Sequence, residues 1–240
     1  MDAGYRVHLA NTAAIVQYSG LKYSDDDSDA AWLAKLLRLG LLPEGCIHPK
    51  EQRAVRDLLR RRSRLVQQHT ANVLAVQNLF SRNRGRLPSA NAIRRLTPET
   101  VGELLPDAHL ALAVQSTLLA MRGQEAAIDL LEREACAQVR GRPEYRHLLG
   151  TSGIGQVLGL TILLETGPIE RFARVGNYAS YCRLVGSERL SNGKRKGRGN
   201  TKSGNKYLAW AYLEVANFAV RYNPAIKHWT CSTARSWAGR

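Results

Sequence analysis

Cysteine is scarce in this chain of 240 residues, and the four present, Cys46, Cys136, Cys182 and Cys231, are scattered. No C-x-x-C pair exists to build a zinc site and no dense framework exists to staple a secreted fold, so all four are expected to be reduced. Long apolar runs are missing too. The longest uncharged one, VLGLTILL at 157–164, falls far short of the ~20 residues that a membrane span requires. No amphipathic segment keeps an apolar face free for lipid. Asp2 stands where a signal peptide carries positive charge, and no cleavage pattern follows, so a cytoplasmic chain with no membrane partner is expected. Neither an internal repeat of fixed period nor a low-complexity tract is present. Acidic residues are few: 20 Asp and Glu against 35 Lys and Arg leave a net charge of +15. That imbalance favours a polyanionic partner, nucleic acid first, because each neutralised phosphate releases counterions.

What is there suffices for a packed core, since 44% of the residues are hydrophobic. YRVHL at 5–9 alternates like a strand, and NTAAIVQYSG after it reads as a short helix ending at Gly20. Trp32, Leu33, Leu36, Leu37 and Leu39 recur at helical spacing up to Gly40. Leu59, Val66, Val73 and Phe80 stand seven apart, with Leu58, Leu65 and Leu79 on the neighbouring row. This seam predicts one helix over 49–84 that packs on another in coiled-coil fashion and makes a homo-oligomer, a dimer or tetramer. Arg62, His69 and Asn72 sit close to the seam, where polar groups either fix register or face nucleic acid. A helical pattern from Pro98 ends at Gly141 and Pro143. The change of character there sets a domain boundary near 141–145. The expected fold is mixed α/β, mostly helical, with segments 1–48, 49–142, 143–228 and a tail at 229–240.

Three stretches could carry chemistry. SDDDSDAAWLAKLL at 24–37 puts Asp26 and Asp29 three apart, on one face of a helix start, where both can reach one cation. The plainer reading is an N-cap with acids favoured by the helix dipole. GTSGIGQVLG at 150–159 brings Gly153 and Gly155 to a turn before an apolar helix. Its amides either hold a phosphate, as in a helix-hairpin-helix unit, or merely turn the chain. RLVGSERLSNGKRKGRGNTKSGNKYL at 183–208 holds eight cations, Arg183, Arg189, Lys194, Arg195, Lys196, Arg198, Lys202 and Lys206, against one acid, Glu188, with five glycines between them. Phosphate contact is expected there, the alternative being a solvated linker. Ser191 lies in that positive field, as a nucleophile on a phosphodiester or as an ordinary turn residue.

Taken in order, GYRVHLANTAAIVQYSGLKYSDDDSDAAWLAKLLRLGLLPEG, EQRAVRDLLRRRSRLVQQHTANVL, GTSGIG and LVGSERLSNGKRKGRGNTKSGNKYL resemble the DEDD insertion-sequence transposases of the one-hundred-and-ten group, recombinases guided by a bridge RNA. The resemblance runs from about residue 4 to 226. It implies an RNase H-like domain, here partial, joined through a coiled coil to a helical domain that supplies a nucleophilic serine. Asp26 and Asp29 match the last two carboxylates of the Mg²⁺-binding set, and Ser191 matches the serine that links covalently to the cut strand, SSGGK in the family being LSNGK here. DNA and a guide RNA are the implied partners, and the protein would be associated with the bacterial nucleoid when bound. The first Asp and the Glu of the set would precede Met1, and HWTCSTARSWAGR after Ile226 departs from the family pattern, so a truncated transposase with weakened Mg²⁺ binding is expected.

Overall fold

The computed structural model describes residues 4–11, 15, 25–186, 188–191, 194–198 and 203–230. The chain forms two compact units, one of residues 1–50 with 185–204, the other of 51–184 with 205–240.

In the first unit α1 (Asp26–Arg38) begins at a capping box: the Ser28 amide donates to Asp25 Oδ1 at 2.8 Å and the Asp25 amide donates to Ser28 Oγ at 3.1 Å. Leu36 is its buried residue, and Gly40, at φ 67, turns the chain where the apolar spacing ends. The strand expected at 5–9 forms no ladder. Ala10 pairs with Glu44 in an isolated antiparallel bridge, held by Gly45 N to Leu9 O at 2.7 Å, and His8 Nδ1 lies 2.7 Å from Glu44 Oε1. Alternation supplies a face but not a partner strand, and among the described residues no second strand lies beside 5–9. The helix expected over 11–20 lies outside the described residues apart from positions 11 and 15. Within 185–204, β1 (Glu188–Ser191) pairs antiparallel with β2 (Lys194–Arg198), Ser191 opposite Lys194, with a bulge between Arg189 and Leu190. Expected as a phosphate-contacting segment or a solvated linker, this stretch holds an antiparallel strand pair. The Asn192–Gly193 dipeptide between the strands is the sequence signal for one.

Among its described residues the second unit holds helices and no strand: α2 (Lys50–Arg84), α3 (Ala90–Arg94), α4 (Pro98–Leu104), α5 (Ala108–Val139), α6 (Pro143–Leu149), α7 (Gln156–Thr166), a 3-10 turn at Ile169–Arg171, α8 (Val175–Tyr181), α9 (Lys206–Tyr222) and a helical stretch over 224–230. The single helix expected from 98 to 140 is two. Pro106 forces Leu105 to φ −125, ψ 94, outside the helical region, and Asp107 then caps α5.

The long helix does pack on another, and that helix is α5 of the same chain. Arg62 Nε donates to Glu132 at 2.6 Å, His69 Nε2 lies 2.9 Å from Glu125, and Asn72 Nδ2 donates to Gln124 at 3.1 Å. Numbers rise along α2 as they fall along α5, so the pair is antiparallel. The polar seam positions are thus partnered across it and fix its register. Val73, Val76 and Phe80 share one core with Ile93, Val101, Val114, Leu118 and Met121. Leu59 shares a second with Ala135, Val139, Tyr145, Leu160 and Leu164. A third joins Leu158 and Ile162 to Cys182, Leu208 and Ala211.

Candidate nucleic-acid and catalytic site

The hairpin that carries Ser191 leaves and re-enters the helical unit at one pinned point. α8 ends through Arg183, whose φ of 59 is the one positive value outside glycine among the described residues, and the Leu184 amide donates back to Ala179 O at 2.9 Å. A left-handed non-glycine residue costs roughly 1–2 kcal/mol and persists where the surroundings dictate it. On the return side the Asn205 amide donates to Tyr181 O at 2.7 Å, which closes the two ends of the excursion on each other.

Asn205 does more than close the loop. Its Oδ1 accepts from Tyr207 N at 2.9 Å and Leu208 N at 3.3 Å, capping α9, while its Nδ2 donates to Glu165 Oε2 at 2.7 Å. Glu165, 2% exposed, is the one charged residue of α7 and takes a two-pronged bond from Arg60, Nε to Oε1 at 2.7 Å and Nη2 to Oε2 at 2.9 Å. Arg56 Nε lies 3.7 Å away, and the Arg60 guanidinium covers the Tyr207 ring at 4.6 Å. The bonds to Glu165 raise the Arg60 pKa above its ordinary value, so the cation is fixed. One buried carboxylate therefore ties α2 and α7 to the first turn of α9. Sequence reasoning missed this group. The signal was a single acid inside VLGLTILLET, a place where a carboxylate stays only if it is paired.

Beside it lies a hydroxyl chain, Thr166 Oγ1 to Tyr178 Oη at 2.8 Å and Tyr178 Oη to Tyr212 Oη at 2.8 Å. Burial pushes both phenols above their usual range. The Arg171 guanidinium lies against both Phe172 and Tyr181, 4.3 and 4.5 Å from the ring centres.

The glycine turn is seated on α9. Gly153, at φ 90, lies so close that an added Cβ would fall 2.6 Å from Val215 O and 2.9 Å from Ala219 N, whereas Gly155, the N-cap of α7, faces open space. Close packing thus accounts for the glycine at 153, and the exposed Gly155 leaves α7 without a side-chain cap.

Asp25 caps α1, and the Ser28 hydrogen bonds hold its carboxyl below the usual range. Asp26 and Asp29 are exposed in that first turn. Among the described residues no three His, Cys, Asp or Glu side chains gather as a metal-binding group, so the pair offers two ligands at most. That donor set suits Mg²⁺ only where phosphate and water complete the shell. Asp26, Asp29 and Ser191 belong to the same unit. Arg189, Lys194, Arg195, Lys196 and Arg198 lie on the hairpin strands and Lys206 opens α9, while Lys202 and Cys231 lie outside the described residues. Cys46, Cys136 and Cys182 are free thiols.

Residues 145–230 match the family model described as Transposase IS116/IS110/IS902 family. The resemblance to the insertion-sequence transposases holds. A protein of Pseudomonas aeruginosa described as a probable family 20 transposase is 29% identical over 184 residues, covering 71% of this chain and 52% of that relative. The chain thus spans about half the length of the curated transposase it matches. The matched segment takes in the glycine turn, Glu165, the pinned loop ends and Ser191. No helix among the described residues is long and apolar enough to cross a membrane.

Proposed function

We propose that the chain acts in DNA transposition, as a DNA-binding recombinase of an insertion sequence, with Ser191 as the nucleophile. The match over 145–230 carries this reading, because it takes in the serine hairpin together with the network that closes its ends. Ser191 Oγ attacks a backbone phosphorus and forms a phosphoserine ester. The bond from phosphorus to the leaving deoxyribose oxygen breaks, the serine proton passes to solvent, and the departing oxygen gains one. Attack on the phosphoserine by a hydroxyl of the second strand then restores the serine and rejoins the DNA.

The hairpin cations hold the phosphates and stabilise the negative charge that develops on the phosphate and leaving oxygens. Asp26 and Asp29 would hold Mg²⁺ jointly with substrate phosphate and water, and the ion would supply charge neutralisation at that phosphate. A partial RNase H-like domain around these acids, a helix-hairpin-helix role for Gly153 and Gly155, a guide RNA as second partner and a homo-oligomer belong to the same reading.

The test uses nicked DNA that traps the covalent intermediate. An adduct stable to denaturant, with phosphate on Ser191 by mass spectrometry and lost on Ser191→Ala, is expected. An adduct that survives Ser191→Ala refutes the assignment. The bare carboxylate pair, with no third ligand among the described residues, favours one alternative: a nucleic-acid-binding protein without catalysis. It predicts DNA binding that is steep in salt, indifferent to Mg²⁺ and to Asp26→Asn with Asp29→Asn, and yields no adduct.

A further inference from the structure

Charge along α2 collects at its two ends. Arg53, Arg56, Arg60, Arg61, Arg62 and Arg64 fall in its first half, and Arg82 and Arg84 in its last turn. No Lys, Arg, Asp or Glu stands between residues 65 and 81. Beyond the neutral stretch the chain adds Arg86, Arg94 and Arg95, against Glu99 and Glu103.

The far end is a rigid platform. Ile93, Val101 and Val114 are wholly buried there beside Phe80 and Leu105. Ser89, Thr97 and Asp107 cap the three helices that meet at this end. Gln77 Nε2 donates to Pro88 O at 2.8 Å and Gln115 Nε2 to Pro98 O at 3.0 Å. Two of the local arginines complete the fold, Arg84 on Leu104 O and Arg122 on Leu96 O. The other four, Arg82, Arg86, Arg94 and Arg95, are exposed, and among the described residues none of them meets a carboxylate. A guanidinium held on a stiff surface and free of internal partners suits a backbone phosphate better than it suits stability.

Geometry selects the partner. Arg60 marks the root of the Ser191 excursion through Glu165 and Asn205. At 1.5 Å per residue about 33 Å of α2 separates it from Arg82, the first residue of the exposed group, close to the roughly 34–36 Å of one turn of B-form DNA. We propose that Arg82, Arg86, Arg94 and Arg95 form a phosphate-binding patch for duplex DNA, gripping the backbone one helical turn from the root of the hairpin. This inference rests on the DNA-directed reading and extends it to a second contact that residues 145–230 do not contain.

The experiment measures salt-dependent affinity of the full chain for DNA duplexes of about 24 and 8 base pairs, for wild type and for a variant with all four arginines changed to Gln. A second variant, Arg133→Gln, Arg140→Gln, Arg146→Gln and Arg174→Gln, matches the charge loss elsewhere. On the long duplex the first variant should lower the slope of log K against log salt by about 3–4, at roughly 0.9 per lost phosphate contact. The charge-matched variant should lower it far less, and the slope difference between long and short duplex should vanish only in the first. An equal loss in both variants, or an unchanged slope, overturns the patch. A loss as large on duplex RNA overturns its assignment to DNA. Failure of the wild type to bind any duplex overturns the DNA-directed reading as well.

Discussion

Removing the Glu165 carboxylate should be the most damaging small change in the helical unit. In Glu165→Ala the Arg60 fork and the Asn205 amide lose their acceptor at once, and Arg56 loses the nearby opposite charge. Breaking a buried ion pair by deleting one partner costs about 3–5 kcal/mol, because the remaining charge stays desolvated. The Arg60 side chain is 32% exposed and can regain water, which argues for the lower end, about 3 kcal/mol. For a unit of this size each kcal/mol moves Tm by about 2–4 °C, so a drop of about 6–12 °C is expected by calorimetry or circular dichroism. Glu165→Gln keeps the shape but turns an amide donor toward other donors, and should lose about 2 kcal/mol. The cycle Arg60→Ala, Glu165→Ala and the double variant should show coupling above about 1 kcal/mol. A Glu165→Ala loss under about 1 kcal/mol, or additive single changes, would refute the view that this carboxylate fastens α9 and the loop ends to α2.

Gly153→Ala should destabilise by about 2–4 kcal/mol, since a Cβ meets α9 backbone and the residue must keep φ 90, whereas Gly155→Ala should change stability by under about 1 kcal/mol. Matching losses in chemical denaturation would show that the turn is not seated as described. Burial, then the nearby Cys136, pushes the Tyr145 phenol up to about 12. The fold thus favours the neutral phenol, and its stabilising effect is complete below the ordinary value of 10 and is lost as pH rises from about 10 to about 12. Alkaline destabilisation should begin in that window, with Tyr178 and Tyr212 contributing in the same direction, and Tyr145→Phe should remove its own share of the slope; an unchanged profile refutes the assignment. Asp25 has the opposite sign, its carboxyl lowered by Ser28, so its contribution is present above the ordinary value of 3.8 and fades as pH falls below it. Amide exchange in α1 should quicken in that acid range, and Asp25→Ala should remove the dependence.

Much of this architecture can be read along the chain. The helices of 26–38 and 50–84 follow from apolar spacing, their ends from Gly40 and Gly85, and the resemblance to insertion-sequence transposases from ordered motifs, of which residues 145–230 match the family model. Such features are local: a cap, a proline or a heptad acts within a few residues of itself, so sequence order alone displays it. Pro106 and Asn192–Gly193 were equally local, and both the break before α5 and the hairpin were legible there.

Other features depend on what arrives from elsewhere. A seam of Leu59, Val66, Val73 and Phe80 asks for an apolar partner without saying whose, and only the fold supplied α5, with Glu125 and Glu132 meeting His69 and Arg62. Glu165 gained its meaning from Arg60 and Asn205, 105 and 40 residues away. Gly153 is explained by two backbone atoms of α9. The sequence by itself determined where the long helices run and that the chain carries a net charge of +15, because propensity and charge belong to the residues. Which charges are neutralised inside and which remain free outside was decided by tertiary structure alone, since pairing depends on distances across the fold that no linear spacing encodes.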